Sequence, residues 1–275
     1  MSPTALENMR VDLVDLCAHL RQKGVDVFIE TNTAKHANIS DYPQLSIDQI
    51  ATQTDLAIVM GGDGTMLSVA RNLIDSSVPL IGINRGRFGF LTDLRTENML
   101  AVLDQMLDGN YIQEPRMLLE ATITRAGETV HHGYALNDIV IKSGLRLIEM
   151  AVHIDAKFVH KQRADGLIIS TPTGTTAYAL SAGGPILHPG LEAIALVPIC
   201  PHTLSNRPIA VNSQSQIMIT VIQFDEAQLS FDGQHQEALT IGDTIYIKRA
   251  EKTVALLHPA DYCYFDMLRN KLHWG

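Results

Sequence analysis

Three short apolar runs constrain the fold most: residues 25–30 (VDVFIE), 55–60 (DLAIVM) and 80–84 (LIGIN), with stretches of helical character between them. Continuous apolar runs of this length, separated by helices, read as buried parallel strands joined by crossover helices. The first part of the chain is therefore an α/β domain, and its ligands are expected beyond the carboxyl ends of the strands.

The texture changes after Pro115. Leu119, Ala121 and Ile123 alternate with Glu120, Thr122 and Thr124, and two-residue periodicity returns at 217–222, 229–231 and 245–247, the pattern of antiparallel strands. The expectation is an α/β domain with a parallel sheet over residues 1–112, followed by a β-rich, sandwich-like domain over 113–260. A C-terminal helix within 261–275 would pack back on the first domain, and residues 175–184 read as a short helix closed by Gly183-Gly184.

Composition removes several function classes. Hydrophobic residues make up 46% and charged residues 19% of the 275, which is globular rather than disordered; 21 Lys and Arg against 30 Asp and Glu give −9, which speaks against nucleic acid or an anionic membrane as main partner. Cys17, Cys200 and Cys263 are odd in number and dispersed, so they suggest neither a disulfide framework nor a Cys-based zinc site and fit a reducing cytoplasm. Glu7 stands where an export signal needs an apolar core, and no segment reaches the ~18 apolar residues that span a bilayer.

Three segments carry chemistry. Gly61-Gly62-Asp63-Gly64-Thr65 follows the second apolar run directly and precedes an apolar helix. Glycines let backbone approach a phosphate, and the helix N-terminus adds free N–H groups and a positive dipole. Asp63 is unusual there, because bound phosphate repels it; holding a metal, taking a proton from an attacking hydroxyl, or simply capping the helix all remain open. No Lys follows as in a Walker loop, Leu67 replaces the third glycine of the dinucleotide fingerprint, and 76–92 holds no ribose-binding carboxylate.

The second segment runs from Asn84 through Arg85, Gly86, Arg87, Phe88, Gly89 and Phe90 to Asp93, at the same sheet edge. Its arginines can face a polyphosphate and Phe90 can wall a base, or the phenylalanines cap the core and an arginine is solvated. The third, 163–185, crowds small hydroxyl residues around a turn: Thr171-Pro172-Thr173-Gly174-Thr175-Thr176-Ala177-Tyr178-Ala179-Leu180-Ser181. Hydroxyls and amides at a helix start can cradle ribose and phosphate, and Tyr178 offers a stacking face. Asn137-Asp138, read on a strand over 134–141, suits paired ribose hydroxyls, although such a pair is more often a turn or a strand end.

Taken in this order, these segments resemble the bacterial NAD kinases, and the likeness continues through Pro201-His202-Thr203-Leu204, Asn206-Arg207-Pro208 and Asp261-Tyr262. The glycine-Asp loop by itself is shared with diacylglycerol, sphingosine and phosphofructokinase-type enzymes; combined with 171–185 it is highly specific. The resemblance implies phosphorylation of the adenosine ribose 2′-hydroxyl of NAD by ATP or another phosphate donor, giving NADP. It implies Asp63 as general base, Gly62, Gly64 and Thr65 against phosphate, and an NAD-contacting set of Phe90, Asn137, Asp138, Arg146, Arg163, Asp165, Thr173, Thr176, Ala177, Tyr178, Ala179, Leu180, Ser181 and Gln234. It also implies an active site between the two domains and a homo-oligomer, dimer or tetramer, in which Arg163 and Asp165 serve a neighbour's site. The family usually has Glu where this chain has Asp138, one methylene shorter.

The eleven histidines form no spaced ligand set with carboxylates, so no protein-held metal is expected, and magnesium would arrive with the triphosphate. Two rivals differ in class. A lipid kinase would share Gly61 to Thr65 but needs a membrane-docking surface, and a non-catalytic dinucleotide sensor has no reason to keep Asp63.

Overall fold

The structure, a computed structural model, describes residues 3–86, 89–144, 146–203 and 205–274, so the expectations for Arg87, Phe88 and Leu204 lie outside the described residues. The chain forms two compact units, Met1–Pro115 with Val254–Gly275, and Arg116–Thr253.

In the first unit the strands Ala57–Gly61 and Leu80–Asn84 pair in parallel, and Leu94–Arg95 and Leu256 add to the second of them, also in parallel. Ile81, Ile83 and Leu94 pack on one face against Leu16 and Leu20 of helix Pro3–Gln22 and against Met99, Leu103 and Met106 around helix Met99–Leu107. Gly82, mid-strand, admits what a side chain would exclude: an added Cβ would lie 2.5 Å from the Leu91 carbonyl and 2.7 Å from Met66 Cε. The remaining helices of this unit are Thr31–Ala37, Ile47–Gln53, Asp63–Asn72 and Tyr264–Leu272.

The first apolar run departs from expectation. Only Ile29–Glu30 is strand, and it pairs with Gln44–Leu45 in a separate two-stranded sheet. Val25 and Phe28 are exposed, so the run lacks the continuous burial that a central parallel strand needs.

The second unit is sandwich-like. One antiparallel sheet runs Ile209–Asn212, Ala193–Ile199, Gly166–Ser170, Asp138–Ser143, Ala227–Phe231, His235–Ala238. Against it lie Lys157–Ala164, Ile148–Ile154 and Ile217–Gln223, the last pairing with the start of Thr244–Pro259, and the hairpin of Tyr111–Arg125 with Glu128–Ala135. Alternate residues of both sheets meet in one core: Leu119, Ala121 and Ile123 with Ile139, Ile141, Ile217, Ile219, Leu229 and Phe231. Each fully buried Leu, Ile or Phe side chain here stabilises the unit by roughly 1.5–3 kcal/mol. Among the described residues no helix is long and apolar enough to cross a membrane.

The strand read over 134–141 is in fact two: Glu128–Ala135 ends, Leu136 and Asn137 turn, and Asp138–Ser143 begins in the other sheet. Similarly, 175–184 resolves into a 3₁₀ turn Thr173–Thr176 and a single α turn Tyr178–Ser181, closed where Gly183, at φ +83°, donates to the Leu180 carbonyl and Gly184 to that of Ala179.

Candidate functional site

Asp63 opens helix Asp63–Asn72, with Gly62 as a cap that makes no side-chain bond. The Asp63 carboxylate does not cap this helix. It reaches across to the segment after the next strand, where Oδ2 accepts the Phe90 N–H at 2.8 Å and Oδ1 accepts the Leu91 N–H at 3.0 Å and the Thr92 hydroxyl at 3.4 Å. Thr92 in turn accepts from Asn84 Nδ2 at 3.0 Å. Gly89 is necessary here, since a Cβ on it would strike Asp63 Oδ1 and the Thr92 hydroxyl. Gly62, Gly64 and Thr65 stand exposed at the helix start, leaving their face open. Arg85 is taken up by Asp12, Nε to Oδ2 at 2.9 Å. Phe90 is half-buried with the Lys271 ammonium 5.6 Å from its ring centre.

In the second unit, the turn Leu136-Asn137 is held by Asp232, whose Oδ1 accepts the N–H of Asn137 at 2.7 Å and of Asp138 at 3.2 Å, and whose Oδ2 accepts that of Leu136 at 3.2 Å. Asp232 and Gly233 both have positive φ, +51° and +66°, as a tight hairpin turn requires. Burial, and secondarily the charge of Asp232, push the Asp138 carboxyl up to about 7.

The threonine-rich loop locks onto the same turn. Thr171 N–H donates to the Asn137 carbonyl at 2.9 Å and its hydroxyl to the Leu136 carbonyl at 2.6 Å. Gly174 lies flat against Asn137, where any Cβ would collide with the Asn137 carbonyl. Most of the hydroxyls that crowd the sequence are thus structural: those of Ser170, Thr171, Thr175 and Thr176 all donate to backbone carbonyls. Thr173 makes no described side-chain hydrogen bond. Tyr178 is exposed, with the Lys142 ammonium 6.0 Å from its ring centre, while Ala177 and Leu180 are half-buried and Ser181 is exposed. Ala179 is turned wholly into the core beside Val140, Ile168 and Val197, so its side chain faces no ligand.

Arg146, Arg163 and Asp165 come together elsewhere on this unit, in a groove of about 410 Å³ completed by Leu147, Glu149, Gln223, Phe224 and Asp225. Arg146 ion-pairs with Asp225 at 3.0 Å, and Arg163 lies 3.9 Å from Glu149. The residues 171–181 do not line this groove. Gln234 is exposed at the end of the Asp232 turn.

Residues 17–111 match the family model of the ATP-NAD kinase N-terminal domain and residues 136–258 that of the ATP-NAD kinase C-terminal domain. The chain belongs to the ATP-NAD kinase family. It is 51% identical to an NAD kinase of Thiobacillus denitrificans over 98% of this chain and 93% of that one, and 49% identical to one of Nitrosomonas europaea over 96% and 90%. Among solved structures it is similar to a yeast NADH kinase complexed with NADH, with TM-score 0.88 and 25% identity over 97% of this chain and 84% of that one. It is also similar to an NAD kinase from Archaeoglobus fulgidus in complex with ATP, with TM-score 0.70 and 26% identity over 88% and 92%.

Sequence reasoning about this ATP-NAD kinase family member missed Asp232, Gly89 and Gly174, which contact other parts of the chain rather than an expected ligand. The signal for Asp232 was present: an Asp-Gly pair between two alternating strands marks a tight hairpin turn. Nothing local foretold that its carboxylate would reach back to residue 136.

Proposed function

We propose that this chain transfers the γ-phosphoryl group of ATP to the adenosine ribose 2′-hydroxyl of NAD, with Asp63 as the general base. The observation that carries this reading is the posture of the Asp63 carboxylate. A carboxylate has about four acceptor positions. Described residues occupy three of them, one on Oδ2 and two on Oδ1, so Oδ2 keeps a position for a substrate hydroxyl. The same crowding makes Asp63 a poor ligand for a hard cation that wants several oxygens; magnesium enters as part of the donor substrate, held mainly by phosphate oxygens and water. The exposed start of helix Asp63–Asn72, with the backbone of Gly62 and Gly64 and the Thr65 side chain on its surface, receives donor phosphate at the positive end of the helix dipole. Asn137, Asp138, Thr173, Thr176, Ala177, Tyr178, Leu180, Ser181 and Gln234 are assigned to NAD, with Phe90 against a base. In a homo-oligomer Arg146, Arg163 and Asp165 contribute from their groove, Arg163 and Asp165 to a neighbour's site, and the cytoplasm is the compartment that fits.

The 2′-hydroxyl is a weak acid, so Asp63 helps only as the proton leaves during transfer. Positioning and neutralisation of donor charge supply most of the acceleration. A coupled assay of NADP formation from NAD, ATP and magnesium tests the reading. Asp63→Asn is expected to lower kcat by ~10²-fold or more while NAD affinity, measured by calorimetry, changes little. A variant that keeps over about a tenth of wild-type kcat ends the general-base assignment.

A further inference from the structure

We propose that His131, His235 and Glu237 form a site for a divalent transition-metal ion of the zinc class, on the β-rich unit and with no part in the phosphoryl transfer. His131 stands on Glu128–Ala135, while His235 and Glu237 lie on His235–Ala238 with one residue between them, so both point to the same side of that strand. Among the described residues this is the one cluster whose histidine, cysteine and carboxylate ligand atoms all lie within 4.8 Å of one another.

Its dimensions suit a small ion. Glu237 Oε1 is 3.2 Å from His131 Nδ1 and 2.9 Å from His235 Nε2. Ligands at 2.0–2.1 Å on the corners of a tetrahedron are about 3.3 Å apart, so these two edges are already near the length that zinc imposes. The rings are also held in place. His131 and His235 stack at 5.2 Å with 21° between their planes, and His131 rests at 5.4 Å against Phe231, itself buried in the core. His131 Nε2 is buried and meets no hydrogen-bond partner among the described residues, so Nδ1 is the nitrogen presented to the cluster. Two imidazoles and one carboxylate, with no sulfur, suit zinc, nickel or copper(II) rather than magnesium, which prefers six oxygens. The His235 side chain is 56% exposed, so water has access to a fourth position.

The site also has a structural consequence. His235 follows the turn that carries Asp232, and His131 precedes the Leu136-Asn137 turn that Asp232 holds. An ion bridging them pins the hairpin to the strand that leads into residues 136–138.

The test uses untagged, metal-stripped full-length protein titrated with Zn²⁺ against a chromophoric zinc chelator. Wild type is expected to take up one zinc per chain, and His235→Gln and Glu237→Gln are each expected to weaken that uptake at least tenfold. Both substitutions lie on an exposed strand, and circular dichroism confirms their folding. Independently of any variant, Zn²⁺ added to wild type must shift the imidazole NMR signals of His131 and His235. Absence of competition with the chelator, equal uptake by wild type and both variants, uptake that thiol blocking of Cys200 and Cys263 abolishes, or unshifted imidazole signals would each overturn the site.

Discussion

At the scale of single residues, the position of a carboxylate here depends on a residue that has no side chain. Asp63 is held by amides from Phe90 and Leu91, and those amides can approach only because residue 89 is glycine. Gly89→Ala leaves the carboxylate in the protein yet drives a methyl group into Oδ1. We expect kcat to fall at least tenfold and NAD affinity to fall by less, because most residues assigned to NAD lie on the other unit and only Phe90 adjoins the substitution. Steady-state kinetics with calorimetric NAD binding checks this, and wild-type kcat in Gly89→Ala would show that the amide clamp is irrelevant to turnover. Asp63→Asn has a structural effect of its own. Whichever way the amide is flipped, its NH₂ faces one of two backbone N–H donors, which costs about 1–3 kcal/mol of stability where the donor stays unpaired. Urea unfolding measured beside the kinetics separates this loss from the loss of rate.

At the scale of elements, the hairpin Ala227–Phe231 with His235–Ala238 performs a task that its own sequence does not announce. Its turn residue Asp232 organises three consecutive N–H groups around Asn137. Asn also tolerates positive φ, so Asp232→Asn should keep the turn while offering one acceptor oxygen where two were used. We expect NAD to bind roughly tenfold more weakly, consistent with the loss of about one hydrogen bond to a charged group. Undiminished NAD affinity by calorimetry would reduce Asp232 to a hairpin residue. This hairpin also marks the limit of what the sequence makes legible. Two-residue alternation at Leu119 to Ile123 and at 217–222 was readable because it depends on burial of one sheet face, a property of the segment alone. The glycine-Asp loop was readable for a similar reason, as backbone chemistry at a strand-to-helix turn. Asp232 with Asn137, and His131 with Glu237, were not, because their partners are set by sheet topology. The threonines of 171–176 are legible only in part, because three of the hydroxyls whose density suggests a ligand cradle, those of Thr171, Thr175 and Thr176, also donate to backbone carbonyls. The run 25–30 is rich in apolar residues, yet Val25 and Phe28 are exposed, so its composition does not by itself make a central strand.

At the scale of the whole molecule, buried carboxylates of opposite character bend the stability curve against pH in opposite directions. Burial tends to raise Asp243, but hydrogen bonds from Arg125 and from the Thr240 N–H outweigh it and leave this carboxyl below its ordinary value. Its contribution is therefore present above the unfolded carboxylate range near 4 and is lost as pH falls through the depressed folded value. Asp138 behaves in reverse. Burial first, and the charge of Asp232 second, raise it to about 7, so the folded chain holds this proton more tightly than the unfolded one. The stability it contributes is complete below a pH of about 4 and disappears as pH rises through about 7. Asp138→Asn removes the titration while keeping nearly the same size and a neutral polar group. Relative to wild type, the variant should gain stability between pH 5 and pH 8, by an amount on the order of 1–3 kcal/mol, since each unit of pKa shift corresponds to about 1.4 kcal/mol. The comparison is made in urea unfolding at a series of pH values, and it uses the slope of the difference rather than its absolute size. A packing change alone displaces the two curves by a constant. Parallel curves across this range would mean that Asp138 is ionised in the folded protein and that the carboxyl beside Asn137 meets its ligand as a charge rather than as a hydrogen-bond donor.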